Sequence, residues 1–113
     1  MTKTEKYNHF EMILNEAIQS ANAIAETSLE DYYCGFAWVK IEKGNHPFVN
    51  FLKAKSIGSK AWDKGFDIWS SELSTNNRVN CSQSMTLKEN VSRAFAEVLR
   101  KYDIPAYMGS RAD

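Results

Sequence analysis

The residues around position 85 have the chemistry of an anion-binding site. Gln83 and Ser84 immediately precede a predicted helix, and the free backbone N–H groups at a helix start attract negative charge. Lys88, one turn into that helix, would add a positive charge, and Gln83 could face a ligand. The alternative is ordinary capping, in which the Ser84 hydroxyl accepts a hydrogen bond from a backbone N–H of the helix. The sequence leaves both interpretations open.

The C-terminal segment offers further groups that suit an anion. Ser110 supplies a hydroxyl, and Arg111 supplies a guanidinium, which can bind phosphate or carboxylate through two parallel hydrogen bonds. Arg111 could instead pair with Asp113, and Glu89 is a nearby acid that could satisfy these groups internally. If the fold brings the C-terminus to the helix start and to the lysine-rich segment 53–64, a ligand site would form from Lys53, Lys60, Gln83, Ser84, Lys88, Ser110 and Arg111.

Aromatic residues on two predicted strands form a second candidate surface. Segment 64–69, with the sequence KGFDIW, resembles in part the RNP1 strand of RNA-recognition modules, whose aromatic side chains stack on bases. Phe66 would act together with Phe36 and Trp38 of the preceding strand, and Trp69 is a further candidate ligand contact. Asp67 stands where the RNP1 pattern has a small residue. The alternative is that these aromatic side chains simply form the hydrophobic core.

Cys34 is a candidate nucleophile with little support from its surroundings in the sequence. A nucleophilic cysteine needs a nearby base or cation, and no spacing places His9 or His46 beside Cys34. The alternative is a small buried hydrophobic residue. Cys34 and Cys81 have no CxxC spacing and, with the two histidines, match no zinc site. We therefore expect two reduced thiols, no metal and no cofactor, with a cysteine enzyme only as an alternative.

Composition limits the remaining classes of protein. The chain has 113 residues, 43% hydrophobic and 25% charged, which is enough for one domain with a hydrophobic core. Its 14 basic and 14 acidic residues cancel, which disfavours a strongly electrostatic nucleic-acid or membrane binder. The N-terminal residues lack the apolar region of a secretory signal, and no apolar run approaches the ~18 residues of a transmembrane helix. We expect a cytoplasmic protein.

Hydrophobic periodicity predicts the elements that must position these residues. An apolar stripe from Phe10 to Ala25 predicts a first helix that begins near Asn8, or at Thr2 and Glu5, which fit a capping box. The next predicted element, strand 33–41, has apolar residues on both faces and is expected to be a buried central strand. The other predicted elements are a helix from Pro47 to Gly58, strands 60–62 and 66–70, a loop 71–82, a helix from Thr86 to Tyr102 and a strand 106–108.

This order of elements predicts an α+β fold. The sheet is expected to be small and either mixed or antiparallel, with the ferredoxin-like βαββαβ order if residues 60–62 form a strand. An extra amphipathic helix precedes it. We expect a single domain over residues 1–113, made of the N-terminal helix 1–27 and an α/β core 33–113.

Four short segments occur together in the core region: CGFAWV from Cys34, Gly65 with Ile68-Trp69, QSM from Gln83 with Lys88-Glu89, and SRAD from Ser110. In this combination, over residues 33–113, the chain resembles a family of small uncharacterised proteins encoded by tailed phages. The resemblance leaves the first helix outside and implies no activity. It implies an accessory protein that acts in the cytoplasm of a bacterial host.

Together these observations predict a non-enzymatic protein that captures a small anionic, nucleotide-like ligand or a host protein. One alternative is an RNA or single-stranded nucleic-acid binding module that uses Phe36, Trp38 and Phe66. A cysteine enzyme that uses Cys34 is another. A third is an interaction module in which the first helix joins two copies of the chain, because its apolar stripe exceeds what a small sheet obviously covers.

Overall fold

The protein has an α+β fold in which one long N-terminal helix precedes a four-stranded sheet and its covering helices. The computed structural model describes residues 2–112. Its elements are α1 (Lys3–Thr27), β1 (Gly35–Ile41), α2 (Pro47–Ala54), β2 (Ser59–Lys60), β3 (Phe66–Trp69), a 3-10 turn (Ser70–Glu72), α3 (Asn77–Cys81), α4 (Met85–Lys101) and β4 (Ala106–Ala112).

The sheet is antiparallel throughout, with the strand order β2-β3-β1-β4. If the 3-10 turn and the short α3 are set aside, the elements from β1 onward follow the order βαββαβ. In this split βαβ arrangement β3 lies between β1 and β2, and the last strand adds beside β1. The predicted ferredoxin-like order is therefore the one observed, and the two central strands are β1 and β3.

Strand β1 explains why the sheet has one covered and one open face. Its odd-numbered residues, from Gly35 to Ile41, are buried, because small residues at Gly35 and Ala37 allow α4 to pack closely. A Cβ added to Gly35 would lie 2.6 Å from Met85 Sδ. The even-numbered residues remain partly exposed. The prediction that β1 is buried on both faces is therefore wrong, because none of the helices described over residues 2–112 covers the second face.

Helix α1 begins earlier than the stripe alone suggests. The Thr2 hydroxyl accepts a hydrogen bond from Glu5 N at 3.1 Å, which places the helix start at Lys3 rather than near Asn8. Its stripe packs mainly against α4, and its buried members are Phe10, Ile13, Leu14, Ala17, Ala21 and Ala25. Most of this stripe is therefore covered within the chain. Within residues 2–112, none of the helices combines the length and the apolarity needed to cross a membrane.

Several predicted boundaries differ from those observed. Strand β2 has only two residues, and the polar segment 71–82 contains the end of the 3-10 turn and α3 rather than loop alone. Asn76 starts α3 by accepting a hydrogen bond from Arg78 N at 2.9 Å. Helix α4 begins at Met85, and β4 is longer than predicted because it pairs with the whole of β1.

Candidate functional site

The face of the sheet away from α4, called the open face here, carries large aromatic and charged side chains. Cross-strand pairing places them together, because residues directly opposite in neighbouring strands share a face. Trp38 of β1 lies opposite Trp69 of β3 and Gly109 of β4, and Phe36 lies opposite Arg111. The open face consists of Phe36, Trp38, Lys40, Asp67, Trp69, Tyr107, Gly109 and Arg111.

A cavity on the open face contains all three tryptophans of the chain. Its volume is about 250 Å³, and Trp62 reaches it from the turn between β2 and β3. Trp62 is 96% exposed, although an indole has a large apolar surface, so its ring is available to a ligand. The Trp38 and Trp69 rings lie 5.0 Å apart between centroids, tilted by 51°. This tryptophan pocket is lined by Trp38, Lys40, Trp62, Asp63, Asp67, Trp69 and Arg111.

The charges inside the tryptophan pocket are unevenly paired. Lys40 Nζ donates a hydrogen bond to Asp63 Oδ1 at 2.6 Å and lies 3.9 Å from Asp67 Oδ1. The hydrogen bond to Lys40 lowers the pKa of Asp63, and the same bond raises the pKa of Lys40. Lys40 and Asp63 therefore form an ion pair, and Asp67 is left at a distance too long for a hydrogen bond.

Asp67 is the less satisfied of the two carboxylates. Its side chain is 11% exposed, and Oδ1 is buried without a hydrogen-bond partner among the described residues. Burial raises the pKa of Asp67, and the negative charge of Asp63 raises it further, while Lys40 opposes both effects. A buried acceptor without a donor costs free energy, and in native proteins such groups are few. This position therefore has unused hydrogen-bonding capacity beside three indole rings.

Two cations approach the ring of Phe36 at one end of the open face. The guanidinium carbon of Arg111 lies 5.4 Å from the ring centroid, and Lys88 Nζ lies 5.6 Å from it. Lys88 also donates to the Gly35 carbonyl at 3.0 Å. Within residues 2–112, Arg111 forms no ion pair. Positive charge therefore collects beside the tryptophan pocket.

The structure divides the predicted anion site between the two faces of the sheet. Ser110 and Arg111 are adjacent in β4, and adjacent residues of a strand point to opposite faces. Ser110 Oγ donates to Glu89 Oε2 at 2.6 Å, toward α4, whereas Arg111 lies on the open face. The convergence of Ser110 with Arg111 is therefore wrong. The proposed pairing of Arg111 with Asp113 lies outside the described residues.

The other polar residues predicted for the anion site either have structural roles or lie away from Arg111. Ser84 Oγ accepts from Leu87 N and donates to Asp31 Oδ1, so Ser84 is the cap of α4 and is buried. Gln83 accepts a hydrogen bond from Gly35 N through its carbonyl. Lys53 Nζ lies 5.9 Å from the Phe66 ring on the covered side. Lys60, on β2, is three strand spacings from Arg111, roughly 14 Å. Segment 53–64 therefore reaches the pocket of Arg111 through Trp62 and Asp63, and not through Lys53 or Lys60.

Of the three aromatic residues predicted to form a stacking surface, the structure places two on the open face and one in the core. Phe36 and Trp38 lie on the open face, but Phe66 is only 2% exposed and lies on the covered face opposite Ile41. The pleat places Trp69 on the open face in its stead, opposite Trp38. Phe66 is therefore part of the core, and Trp69 is the β3 residue that lies beside Trp38 on the open face.

Cys34 lies at the surface and not in the core, which corrects the expectation of a small buried residue. Cys34 and Cys81 line one cavity of about 510 Å³ that includes no histidine and no lysine. Glu30 and Asp31 also line it, and negative charge disfavours a thiolate. Among residues 2–112, no group of three His, Cys, Asp or Glu side chains is placed to hold a metal ion.

Four residues of the tryptophan pocket were not predicted as ligand contacts. Trp62 and Asp63 lie in a polar turn. An exposed tryptophan has no packing role there, so its presence indicates a ligand-binding surface. Lys40 and Asp67 lie opposite each other in β1 and β3. Alternation along β1 placed Lys40 with Phe36 and Trp38, so its location on the open face was accessible from the sequence. The register that brings Asp67 to it was not.

The chain matches no protein-family model, no curated protein and no solved structure. The resemblance to small tailed-phage proteins stays a prediction.

Proposed function

We propose that the protein is a nucleotide-binding protein that captures its ligand on the open face of the sheet. The observation that carries the proposal is the tryptophan pocket. Three indole rings, Arg111 and a carboxylate whose Oδ1 has no hydrogen-bond partner among the described residues line this one cavity. A planar aromatic ring, a hydrogen-bond donor and a negative charge are the three properties that such a lining would recognise together. A nucleotide has all three.

The indole rings supply a surface for a base. Stacking of a base on an aromatic side chain contributes ~1–3 kcal/mol and tolerates different bases, because every base has a π-face. Trp62 is almost fully exposed and lies in a turn, so it can close over a ring that lies against Trp38 and Trp69. A cavity of about 250 Å³ is below the ~300–1,000 Å³ of pockets for drug-sized molecules, which fits one ring system better than a whole nucleotide.

The rest of the ligand would lie along β1 toward Phe36. Arg111 lines the pocket and also lies 5.4 Å from the Phe36 ring, and Lys88 approaches the same ring. Arginine binds phosphate through two parallel hydrogen bonds, and lysine binds it as a compact charge. A base in the tryptophan pocket would thus place its phosphate near two cations. The neutral net charge of the chain does not conflict with this, because only local charge is required.

The other predicted functions have weaker support. The cavity beside Cys34 contains carboxylates and no base or cation that would generate a thiolate. The stripe of α1 is mostly covered by α4, so the stripe itself provides little surface for a second copy. The open face is the one surface on which exposed aromatic rings and unpaired polar groups coincide among the described residues.

Thermal melting in the presence of nucleotides tests the proposal. A ligand that binds only the folded chain raises the melting temperature, so saturating nucleoside monophosphates should raise it by several degrees. Tryptophan fluorescence should change over the same concentration range, because all three indoles line the pocket. If neither the melting temperature nor the fluorescence responds to any nucleotide, the proposal is wrong.

A pair of exposed aromatic residues provides the variant and its control. Trp62→Ala should weaken nucleotide binding at least tenfold and leave the melting temperature of the unliganded protein nearly unchanged, because Trp62 buries almost no surface. Tyr32→Ala removes another fully exposed ring, outside the open face, and should change neither property. Equal losses of binding in both variants would argue against the pocket.

Single-stranded RNA is the second candidate ligand, and one observation favours it. Phe36 and Trp38 lie on β1 and Trp69 on β3, which are the two central strands of a four-stranded βαββαβ sheet. RNA-recognition modules stack two or three bases at this place. An affinity that rises steeply from a mononucleotide to a hexanucleotide would favour RNA. An affinity that is already saturated with one nucleotide would favour capture of a single nucleotide.

A further inference from the structure

We infer that the base recognised in the tryptophan pocket is guanine, and that Asp67 selects it. This inference rests on the proposed function and names the ligand class within it. Asp67 provides the polar group for base recognition, because the other carboxylate of the pocket, Asp63, is already bonded to Lys40 at 2.6 Å. Among the described residues that line the pocket, Asp67 is the one acidic group without a hydrogen-bond donor that a base seated between the indoles would meet.

The selection follows from the pattern of donors on each base. An ionised carboxylate has two oxygens and accepts hydrogen bonds without donating any. The Watson–Crick edge of guanine carries two adjacent donors, N1–H and the N2 amino group, which match a carboxylate. The same edge of adenine carries one donor beside an acceptor, and that of cytosine carries one donor beside two acceptors. The edge of uracil carries one donor between two acceptors. An acceptor of the base that faces Asp67 would be left unpaired.

The burial of Asp67 increases the energetic importance of the match between its carboxylate and the donors of guanine. Its Oδ1 is buried and accepts no hydrogen bond from any of the described residues, so a ligand that supplies donors to the carboxylate removes an existing deficit. Sites that bury unpaired polar groups discriminate strongly against ligands that cannot satisfy them. Burial raises the pKa of Asp67, and Lys40, with Nζ 3.9 Å from Oδ1, opposes this effect by favouring the charged carboxylate. Arg111, which lies on β4 and not on β3, would bind the phosphate and would not affect which base is selected.

A series of four nucleotides measures the contribution of each donor. Isothermal titration calorimetry with the full chain at pH 7.5 should give the lowest dissociation constant for GMP. IMP lacks only the 2-amino group and should bind about tenfold more weakly, which is the lower part of the range for a lost hydrogen bond to a charged group. AMP and UMP should bind more weakly than IMP. Because this series uses the unchanged protein, it does not depend on whether a variant folds.

Two variants connect the preference to Asp67. Asp67→Asn replaces one acceptor with a donor and should reduce the preference for GMP over AMP to less than threefold. Glu26→Gln makes the same change at an exposed position of α1 and should keep the full preference. Far-UV circular dichroism and melting of both variants will show that each remains folded.

The outcomes separate this inference from the proposed function. If no mononucleotide binds, the proposed function itself fails. If mononucleotides bind with equal affinity, or AMP or UMP binds more tightly than GMP, nucleotide binding stands and the inference is wrong. A GMP preference that persists in Asp67→Asn would also overturn the assignment to Asp67.

Discussion

The indole of Trp38 lies directly on Gly109 of the neighbouring strand. A Cβ added to Gly109 would lie 2.6 Å from Trp38 Nε1 and 2.7 Å from Cε2, closer than real Cβ atoms approach other heavy atoms. The other side of the indole faces Trp69, whose ring centroid lies 5.0 Å away. The Trp38 indole is therefore held between Gly109, which has no side chain, and the aromatic ring of Trp69. The absence of a side chain at Gly109 is what allows the indole to lie flat on the open face.

Gly109→Ala should displace the Trp38 ring and disturb the tryptophan pocket. Because the ring is confined by Trp69, we expect a loss of about 1–3 kcal/mol in the free energy of unfolding, the usual cost of overpacking. Nucleotide binding should weaken as well. Gly44→Ala is the matched control, because its nearest neighbour would be 3.7 Å away in ordinary contact. Urea unfolding followed by tryptophan fluorescence measures both variants, and equal stabilities would refute the role of Gly109.

Asp67→Asn should make the protein more stable at neutral pH. The variant removes a buried charge that lacks a hydrogen-bond donor, and Lys40 keeps its partner Asp63. We expect a gain of about 1 kcal/mol in the free energy of unfolding, measured by urea titration at pH 7. A gain in stability together with a loss of binding is typical of a residue retained for function. A large loss of stability would identify Asp67 as a structural residue.

The same variant has a pH dependence of known sign. Burial raises the pKa of Asp67 in the folded protein above its ordinary value of 3.8. The folded state therefore binds the proton more tightly, and the cost of the charge is full above the raised pKa and absent below 3.8. The stability advantage of Asp67→Asn should accordingly disappear as the pH falls through this window. An advantage that is constant with pH would show that charge is not its cause.

Most of the fold was predictable because each element carries a local signal. The stripes of α1 and α4 indicate which helix faces are buried, and the small residues of β1 indicate which face of that strand α4 covers. The lengths of β2 and β4 were not predictable, since the extent of a strand depends on its neighbours. Strand β4 extends to Ala112 because β1 offers partners along its full length.

The candidate site was only partly predictable because it depends on register. Alternation of side chains predicts that Phe36 and Trp38 share one face of β1. It also predicts that Phe66 and Trp69 lie on different faces of β3. Which face of β3 would join which face of β1 is decided by pairing, and here Trp69 lies opposite Trp38. A change of one residue in register would have brought Phe66 to the open face. The grouping of Ser110 with Arg111 failed for another reason: β4 extends to Ala112, so these adjacent residues belong to a strand and point to opposite faces.

Arg78 should be a major contributor to stability although it lies in a five-residue helix. Its guanidinium donates to Glu30 Oε1 at 2.5 Å, to the Ala25 carbonyl at 2.5 Å and to the Ser28 carbonyl at 2.6 Å. The two carbonyls lie at the end of α1, where carbonyl groups lack partners within the helix. We expect Arg78→Ala to lower the free energy of unfolding by about 1–2 kcal/mol.

Two further measurements test this role of Arg78. Arg93→Ala should change the free energy of unfolding by about 0.5 kcal/mol or less, because among residues 2–112 the Arg93 side chain donates only to its helix neighbour Asn90. The hydrogen bond from Arg78 also lowers the pKa of Glu30, so this interaction stabilises the fold above pH 4.5 and is lost as the pH falls through the lowered pKa. Arg78→Ala should show less of that acid sensitivity. If it melts like Arg93→Ala, the predicted role is wrong.

Ser110 and Arg111 should give opposite results although they are adjacent in β4. Ser110→Ala removes the hydrogen bond to the Glu89 carboxylate, which joins β4 to α4, and should cost about 1–2 kcal/mol of stability without changing nucleotide affinity.

Arg111→Ala removes an exposed cation from the open face and should change stability by about 0.5 kcal/mol or less. It should weaken nucleotide binding by about 1.5–3 kcal/mol, the scale of a hydrogen bond to a charged group. Melting and calorimetry on both variants measure the two quantities independently. An Arg111→Ala protein that binds normally but melts well below the parent would identify Arg111 as a structural contact between β4 and Phe36 and remove it from the ligand site.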